Sequence, residues 1–146
     1  MKTKLRVICA IVVLSLIMAV PVSADINVET RASKFFSAYG TWLEKTSSTS
    51  FEIWFDVNSN NAIMNEIGVS YIEVYRSSDQ ENWTLMRTYD MVDYPSMIDE
   101  YTGSHTGYVT YNYASTGYYY TAYVTMYARN STGIGERYVY TEILHL

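Results

Sequence analysis

The chain has 146 residues, of which 49% are hydrophobic and 16% aromatic, with 10 Lys and Arg against 15 Asp and Glu. Three of the basic residues and none of the acidic ones lie in residues 1–24, which leaves 7 bases against 15 acids, a formal net charge of −8, for the remainder. An acidic surface repels phosphate, so nucleic acid is excluded as an expected partner. The single cysteine is Cys9, so residues 25–146 contain no disulfide and no thiolate for catalysis or metal binding.

Residues 1–24 have the pattern of a secretory signal peptide: a basic start, an uncharged apolar run and a small-residue cleavage site. The basic residues are Lys2, Lys4 and Arg6, and the site is Val22-Ser23-Ala24. The apolar run, 7–20, is shorter than the roughly 20 residues that a spanning helix needs. We therefore expect cleavage after Ala24, rather than an uncleaved anchor, and a secreted, extracellular protein with no membrane contact after cleavage. The lack of disulfides favours a bacterial source.

The remaining chain is predicted to form one domain, with a flexible segment at 25–33 and an all-β sandwich at 34–146. In 34–45 the aromatic spacing fits either a helix or a strand, and Gly40 followed by a Thr/Ser cluster favours the strand. From Phe51 the apolar residues alternate with polar ones, which predicts a half-buried strand with Trp54 on the polar side.

The middle of the chain reads as alternating loops and strands. Ile72 and Val74 are predicted to face inward, and Trp83 is expected to pack beside them. The predicted segments are a loop at 59–70, a strand at 71–76, a turn at 77–82, a strand at 83–89 and an irregular stretch at 90–104.

The last third contains three further strands, at 108–113, 118–129 and 136–144. In the longest of them the alternation places five residues inward: Tyr120, Ala122, Val124, Met126 and Ala128. The total is seven or eight antiparallel strands without a βαβ unit, which predicts an antiparallel β-sandwich.

Two stretches of this pattern resemble a known fold. The run from Ile72 to Thr84, with Ser77, Asp79 and Trp83, is similar to the central hairpin of bacterial fibronectin type III-like domains. The later run from Val124 to Gly133, with Met126, Ala128 and Asn130, is similar to the sixth strand of that fold and the turn after it. The resemblance implies a fibronectin type III-like sandwich, although the usual inward tryptophan of the early strand is replaced here by Phe55 or Val57.

The mature chain also resembles, over about residues 32–142, a family of small secreted proteins of Gram-positive bacteria with no assigned activity. The matching pieces are Met64-Asn65-Glu66-Ile67-Gly68, Ser77-x-Asp79 with Trp83-Thr84, and Tyr94-Pro95-x-Met97. This resemblance implies a fold and secretion, and it supplies no site.

Residues suited to catalysis or metal binding are sparse. His105 and His145 have no companion at metal-ligand spacing, and no nucleophile motif is present. Asp99 and Glu100 are adjacent, so a strand would point them to opposite faces. The run from Asp56 resembles the start of a calcium loop but lacks its glycine and its final acid. We therefore expect no enzyme, no cofactor and no metal.

Tyrosine is the most informative residue type. If Tyr120 and Val124 face inward, the tyrosines at the alternate positions of that strand stand on the outer face of the sheet, and a fibronectin-like arrangement adds Tyr71 and Tyr75 of the strand 71–76 to the same face. Rigid amphipathic rings at such a surface suit binding. The candidate ligand-binding residues are Tyr71, Tyr75, Tyr119, Tyr123, Tyr127 and, separately placed, Trp54. The alternative is that these tyrosines bind no ligand and only stabilise the sheet by packing across its strands. The sequence thus predicts a non-enzymatic extracellular binding or surface-interaction module with an unknown partner, glycan or protein. Its alternatives are a carbohydrate-binding module and a self-associating matrix or surface protein.

Overall fold

The computed structural model describes residues 34–60 and 62–146, which form two antiparallel sheets. The predicted signal peptide and the segment 25–33 lie outside the described residues. The strands are β1 Phe36–Lys45, β2 Phe51–Ser59, β3 Met64–Ser77, β4 Thr84–Asp90, β5 Ile98–Thr102, β6 Ser104–Tyr111, β7 Tyr119–Asn130, β8 Gly133–Tyr140 and β9 Leu144–His145. A short 3-10 helix spans Pro95–Met97. None of the described residues belongs to a helix long and apolar enough to cross a bilayer.

One sheet has three strands in the order β1-β2-β6, and the other has six. The larger sheet is built on the order β4-β3-β7-β8, with β5 beside β3 and β9 beside β7. Both sheets are open, and their inward faces share one apolar core, so the arrangement is consistent with a sandwich. The strand assigned to 34–45 is confirmed, and the total of nine exceeds the seven or eight predicted.

The core forms where the alternating positions of the two sheets meet. Phe51, Ile53 and Phe55 on β2 are fully buried, as are Tyr120 and Val124 on β7. The rings of Phe51 and Tyr120 lie 5.2 Å apart between centroids, which joins the two sheets. Each such side chain contributes roughly 1.5–3 kcal/mol when it leaves water. The alternation therefore predicted the inward residues of these two strands correctly.

The predicted loop at 59–70 is wrong, because β3 begins at Met64 and pairs with both β5 and β7. Ile67, Gly68 and Val69 are all buried, so this part of the strand has no alternation to detect. Gly68 has a φ of +149°, and a Cβ there would overlap the carbonyl oxygen of Met97. The end of the 3-10 helix thus lies directly against Gly68, where β5 begins to pair with β3, and the prediction of an irregular 90–104 segment is also wrong in part.

The turn between β3 and β4 is confirmed, and its geometry comes from Asp79. The Asp79 carboxylate accepts hydrogen bonds from the backbone N–H of Asn82 at 2.8 Å and of Glu81 at 2.9 Å. The Asn82 side chain and the Ser77 hydroxyl add two more, each at 2.8 Å. These donors, Asn82 foremost, hold the pKa of Asp79 well below its usual range. The turn therefore fixes the path of the chain into β4.

Candidate functional site

We call the outward side of the six-stranded sheet the tyrosine face. Tyr71 and Tyr75 on β3 and Tyr119, Tyr123 and Tyr127 on β7 all lie there, opposite in parity to the core residues of the same strands, such as Ile72 and Val124. The two strands are paired, with Tyr75 opposite Thr121 and Glu73 opposite Tyr123. The structure therefore brings together the five tyrosines that the sequence proposed.

The five rings differ in their exposure. Tyr71, Tyr75, Tyr119 and Tyr123 are half-buried, whereas Tyr127 is only 6% exposed. Tyr127 therefore stands on the predicted face without being available at the surface, which corrects the expectation that it is an exposed member of the patch. Tyr119 is partly covered by the C-terminal segment, because its ring stacks on His145 at a centroid distance of 4.4 Å.

Carboxylates on the same face accept hydrogen bonds from several of the tyrosine hydroxyls. Tyr75 donates to Glu73 at 2.8 Å and Tyr127 donates to Glu66 at 3.1 Å. The Glu73 bond, together with burial, raises the pKa of Tyr75 to about 12. Glu66 also pairs with Arg129. These contacts order the rings, and they occupy hydroxyl donors that a ligand would otherwise receive.

The sequence analysis missed two tyrosines of this face, both on β8. Tyr138 and Tyr140 are 59% and 63% exposed, and both contact the ring of Tyr123, at 5.9 and 4.6 Å between centroids. The signal was available, because Ile134, Glu136, Tyr138 and Tyr140 alternate along the strand. Tyr138 donates to Glu136 at 3.0 Å, in the same manner as the other hydroxyls.

The inward placement of Trp83 is wrong. Its indole is half-buried and does not belong to the core that contains Ile72 and Val74. The indole Nε1 donates a hydrogen bond to the carbonyl oxygen of Gln80 at 3.1 Å. The turn ends with Trp83 before the first residue of β4, Thr84, so its side chain does not follow the parity assumed for the strand. The turn therefore delivers the indole to the outward side of the larger sheet.

Trp83 forms one wall of a groove on the tyrosine face. The groove has a volume of about 460 Å³ and is lined by Tyr75, Trp83, Thr121, Tyr140, Thr141 and Ile143. Its base is polar, because Thr121 Oγ1 donates to the carbonyl oxygen of Thr141 at 3.1 Å while Thr141 Oγ1 accepts from the Ala122 N–H at 2.9 Å. The walls are apolar and partly open, with Ile143 49% exposed.

Trp54 does not belong to this surface. It lies on the outward side of β2 in the three-stranded sheet, as its parity predicted, but that sheet is the opposite layer of the molecule. There it lies between Trp42 of β1 and Tyr108 of β6, its direct partners in register. Its Nε1 donates to Glu52 Oε2 at 2.9 Å. The six proposed site residues therefore divide between two surfaces.

Of the residues considered for other chemistry, His105 and Asp99 lie apart from both surfaces, whereas Asp56 lies on the same side of β2 as Trp54. His105 Nε2 is 3.0 Å from the carbonyl oxygen of Ser96, and its ring packs on Phe55. Asp99, on β5, is 4.0 Å from His105 Nδ1. Asp56 lies within β2 and accepts from Thr106 Oγ1 at 2.6 Å, so it is part of a strand rather than a calcium loop. Across 34–60 and 62–146, no three His, Cys, Asp or Glu residues are grouped to hold a metal ion.

The fold and these two surfaces define an all-β, two-sheet antiparallel domain. Comparison with known proteins adds no narrower class, since no family model matches the chain and no curated protein matches its sequence. The function must therefore be argued from the surfaces themselves.

Proposed function

We propose that this chain is a secreted, non-enzymatic sandwich domain that binds a protein partner through the groove on the tyrosine face. Secretion follows from the basic start, apolar run and Ala24 site of residues 1–24. The assignment as a binder rather than an enzyme rests on the absence of a nucleophile motif from the sequence and on a groove lined by aromatic, isoleucine and threonine side chains.

We further propose that the sandwich is of the fibronectin type III kind, and that the chain belongs with the small secreted proteins of Gram-positive bacteria that it resembles. The strand order β4-β3-β7-β8 supports the first assignment, because it places the hairpin of β3 and β4 beside β7 and β8, and these are the two regions whose sequences resemble that fold. The contact between Gly68 and Met97 supports the second, since it gives two of the matching sequence pieces a shared structural role.

The observation that carries the binding proposal is the position of Trp83 outside the core. The indole lines a groove together with Tyr75, Tyr140 and Ile143. The volume of this groove, about 460 Å³, falls within the range of known ligand sites, about 300–1,000 Å³. Tryptophan and tyrosine are also the residues that most often dominate protein interfaces. A protein side chain of apolar type fits these walls, with the Thr121 and Thr141 hydroxyls at the base.

A polypeptide suits this groove better than a glycan does. A sugar needs hydrogen-bond partners along its whole length, and on this face Tyr75 and Tyr138 already donate to Glu73 and Glu136. The alternatives are a carbohydrate-binding module that uses the same face and a self-associating surface protein. A carbohydrate-binding module predicts glycan binding that Ile143 substitutions abolish. A self-associating protein predicts concentration-dependent sedimentation of the purified domain.

A random peptide display library tests the groove. We expect peptides selected on the wild-type domain to lose binding to an Ile143→Glu variant, because a carboxylate in an apolar wall is costly to bury. Ile134→Glu is the matched control, since Ile134 is a similarly exposed isoleucine outside the lining of the groove. Peptides that bind the wild type and the Ile143→Glu variant equally, or none enriched at all, would contradict the proposal.

Secretion has its own test. The intact mass of the protein recovered from the medium of a secreting bacterial host should correspond to a chain that begins at Asp25. Recovery of the full-length chain from the membrane fraction would contradict cleavage after Ala24.

A further inference from the structure

A second aromatic surface lies on the opposite sheet. Trp42, Trp54 and Tyr108 occupy directly opposed positions on β1, β2 and β6, and we call them the tryptophan row. The ring centroids of the two indoles are 5.9 Å apart with planes 8° from parallel, and Tyr108 follows at 4.6 Å. Trp42 and Tyr108 are 41% and 48% exposed. Three large rings thus form a continuous ridge across the full width of the three-stranded sheet.

The outward positions of the three strands that carry this ridge bear negative charge only. On the outward positions of the three strands lie Glu44, Glu52 and Asp56, whereas Lys45 and His105, the only bases on these strands, pair in register with the buried residues Phe51 and Val57. Three carboxylates beside exposed rings repel uronate, sulfate and phosphate groups. The same carboxylates accept hydrogen bonds from hydroxyl groups. The charge of this surface therefore favours an uncharged, hydroxyl-rich partner.

The surface beside Trp42, on one side of the ridge, carries no side chain that would obstruct a ligand. Gly40 precedes Trp42 on the same face and has no atom within 4 Å of the position that a Cβ would occupy. Its neighbour in register is Asp56, which Thr106 and Asn58 already hold in place at 2.6 and 2.9 Å. A ligand lying against the ring of Trp42 therefore meets a positioned carboxylate and no obstructing side chain.

The far end of the ridge opens into a polar pocket. Tyr108 lines it together with other residues, in a volume of about 370 Å³ whose lining includes Arg87, Tyr94, Thr110, Asn112 and Tyr113. Arg87 donates from Nη2 to the Tyr94 hydroxyl at 2.9 Å, and its guanidinium lies 5.6 Å from the ring centre of Tyr113. Asn112 is exposed and has both a donor and an acceptor. The pocket thus adds hydrogen-bonding groups to the rings of the row.

We propose that the tryptophan row and this pocket form one binding site for an uncharged pyranose glycan. The apolar C–H faces of successive sugar rings pack on the exposed rings of the row, and the hydroxyls bond to Asp56, Asn112 and Arg87. The tryptophan row lies on the sheet opposite the groove at Trp83, and although the pocket includes Arg87 of β4, the site shares no residue with the groove. The proposal therefore does not depend on a protein partner at the tyrosine face.

Titration with cellohexaose, chitohexaose and mannohexaose tests the site, with polygalacturonate as the acidic counterpart. We expect at least one of the three uncharged oligosaccharides to bind, measured by calorimetry, and polygalacturonate not to bind. In a heteronuclear NMR spectrum the indole N–H signals of Trp42 and Trp54 should move while that of Trp83 stays fixed, which requires no mutation.

Variants assign the binding to the row. Trp42→Ala should weaken the association by at least about 10-fold, and Asn112→Ala by several-fold. Trp83→Ala is the matched control on the other sheet and should leave the affinity unchanged. Binding that survives Trp42→Ala in a folded variant, a response of the Trp83 signal alone, or no binding by any of the three at about 1 mM would overturn the proposal.

Discussion

The two outward faces of this domain are both aromatic, but their rings are held differently. On the tyrosine face Tyr75 and Tyr127 donate to the neighbouring acids Glu73 and Glu66. On the three-stranded sheet the indole of Trp54 donates to Glu52, Trp42 stacks on one side of Trp54, and Tyr108 packs on the other at a tilt of 34°. On the first face the bond from Tyr127 to Glu66 joins β7 to β3, whereas on the second the rings pack against one another across the strands and leave Trp42 and Tyr108 exposed at the two ends of a row.

This difference teaches that an aromatic sheet face is not by itself a binding surface. Cross-strand aromatic pairs stabilise a sheet by about 0.2–1 kcal/mol each, whichever face they are on. What distinguishes the faces is where the aromatic residues adjoin a concavity. On the tyrosine face this occurs at Trp83 and Ile143, beyond most of the tyrosines. On the other face it occurs at Tyr108.

The largest effect is expected from glycine substitutions that compare the two sheets. Gly68→Ala should destabilise the domain by about 3 kcal/mol, because the new Cβ meets the Met97 carbonyl and the φ of +149° is unfavourable for alanine. Gly40→Ala on the other sheet meets open space and should change stability by about 0.5 kcal/mol or less. Chemical denaturation of both variants measures the difference. Equal effects would mean that the Met97 carbonyl does not lie against Gly68.

A smaller effect is expected from the tryptophans themselves. Trp83→Ala and Trp54→Ala should each cost about 1 kcal/mol, since both indoles are half-buried outside the core. Ile72→Ala is the buried reference and should cost about 2–5 kcal/mol. Denaturation midpoints give all three values. A loss of stability for Trp83→Ala as large as that for Ile72→Ala would show that the indole is buried in the core after all.

The smallest effect is expected from alkaline pH. The Tyr75 pKa is raised by Glu73, and the Tyr89 pKa by burial, each to about 12 from an ordinary value of 10. The folded state therefore holds these protons more tightly, so their contribution to stability is complete below pH 10 and is lost as the pH rises to 12. Denaturation midpoints should fall across that range.

Phenylalanine variants identify the groups responsible. Tyr89→Phe and Tyr75→Phe should each flatten the alkaline decline. Tyr89→Phe should also lower stability at neutral pH, because the Tyr89 hydroxyl donates to the Thr110 carbonyl oxygen at 3.0 Å and so links the two sheets. A decline of the same slope in both variants would assign the alkaline effect to other groups.

Much of the fold could be predicted because burial on one side of a strand imposes alternation. The inward residues of β2 and β7 follow from parity alone. The strand at 34–45 is favoured by Gly40 and the Thr/Ser cluster after it, and the common face of five tyrosines by parity together with a fibronectin-like order of the strands. The prediction failed where that condition fails. Around Gly68, consecutive residues are buried because β5 pairs with one edge of β3 and the 3-10 helix crosses beside it. The prediction for Trp83 failed because this residue belongs to the turn and not to the strand.

The sequence by itself therefore determined the class of the domain, the inward residues of β2 and β7 and the outward parity of Trp54 and of five tyrosines, because these depend on local periodicity. Only the tertiary structure decided which outward residues meet. Trp42, Trp54 and Tyr108 are distant in the chain, and they form a row because the registers of β1 with β2 and of β2 with β6 place them opposite one another. The groove at Trp83 likewise requires segments far apart in sequence. Register between distant strands is fixed by the packing of the whole core, which no local pattern records.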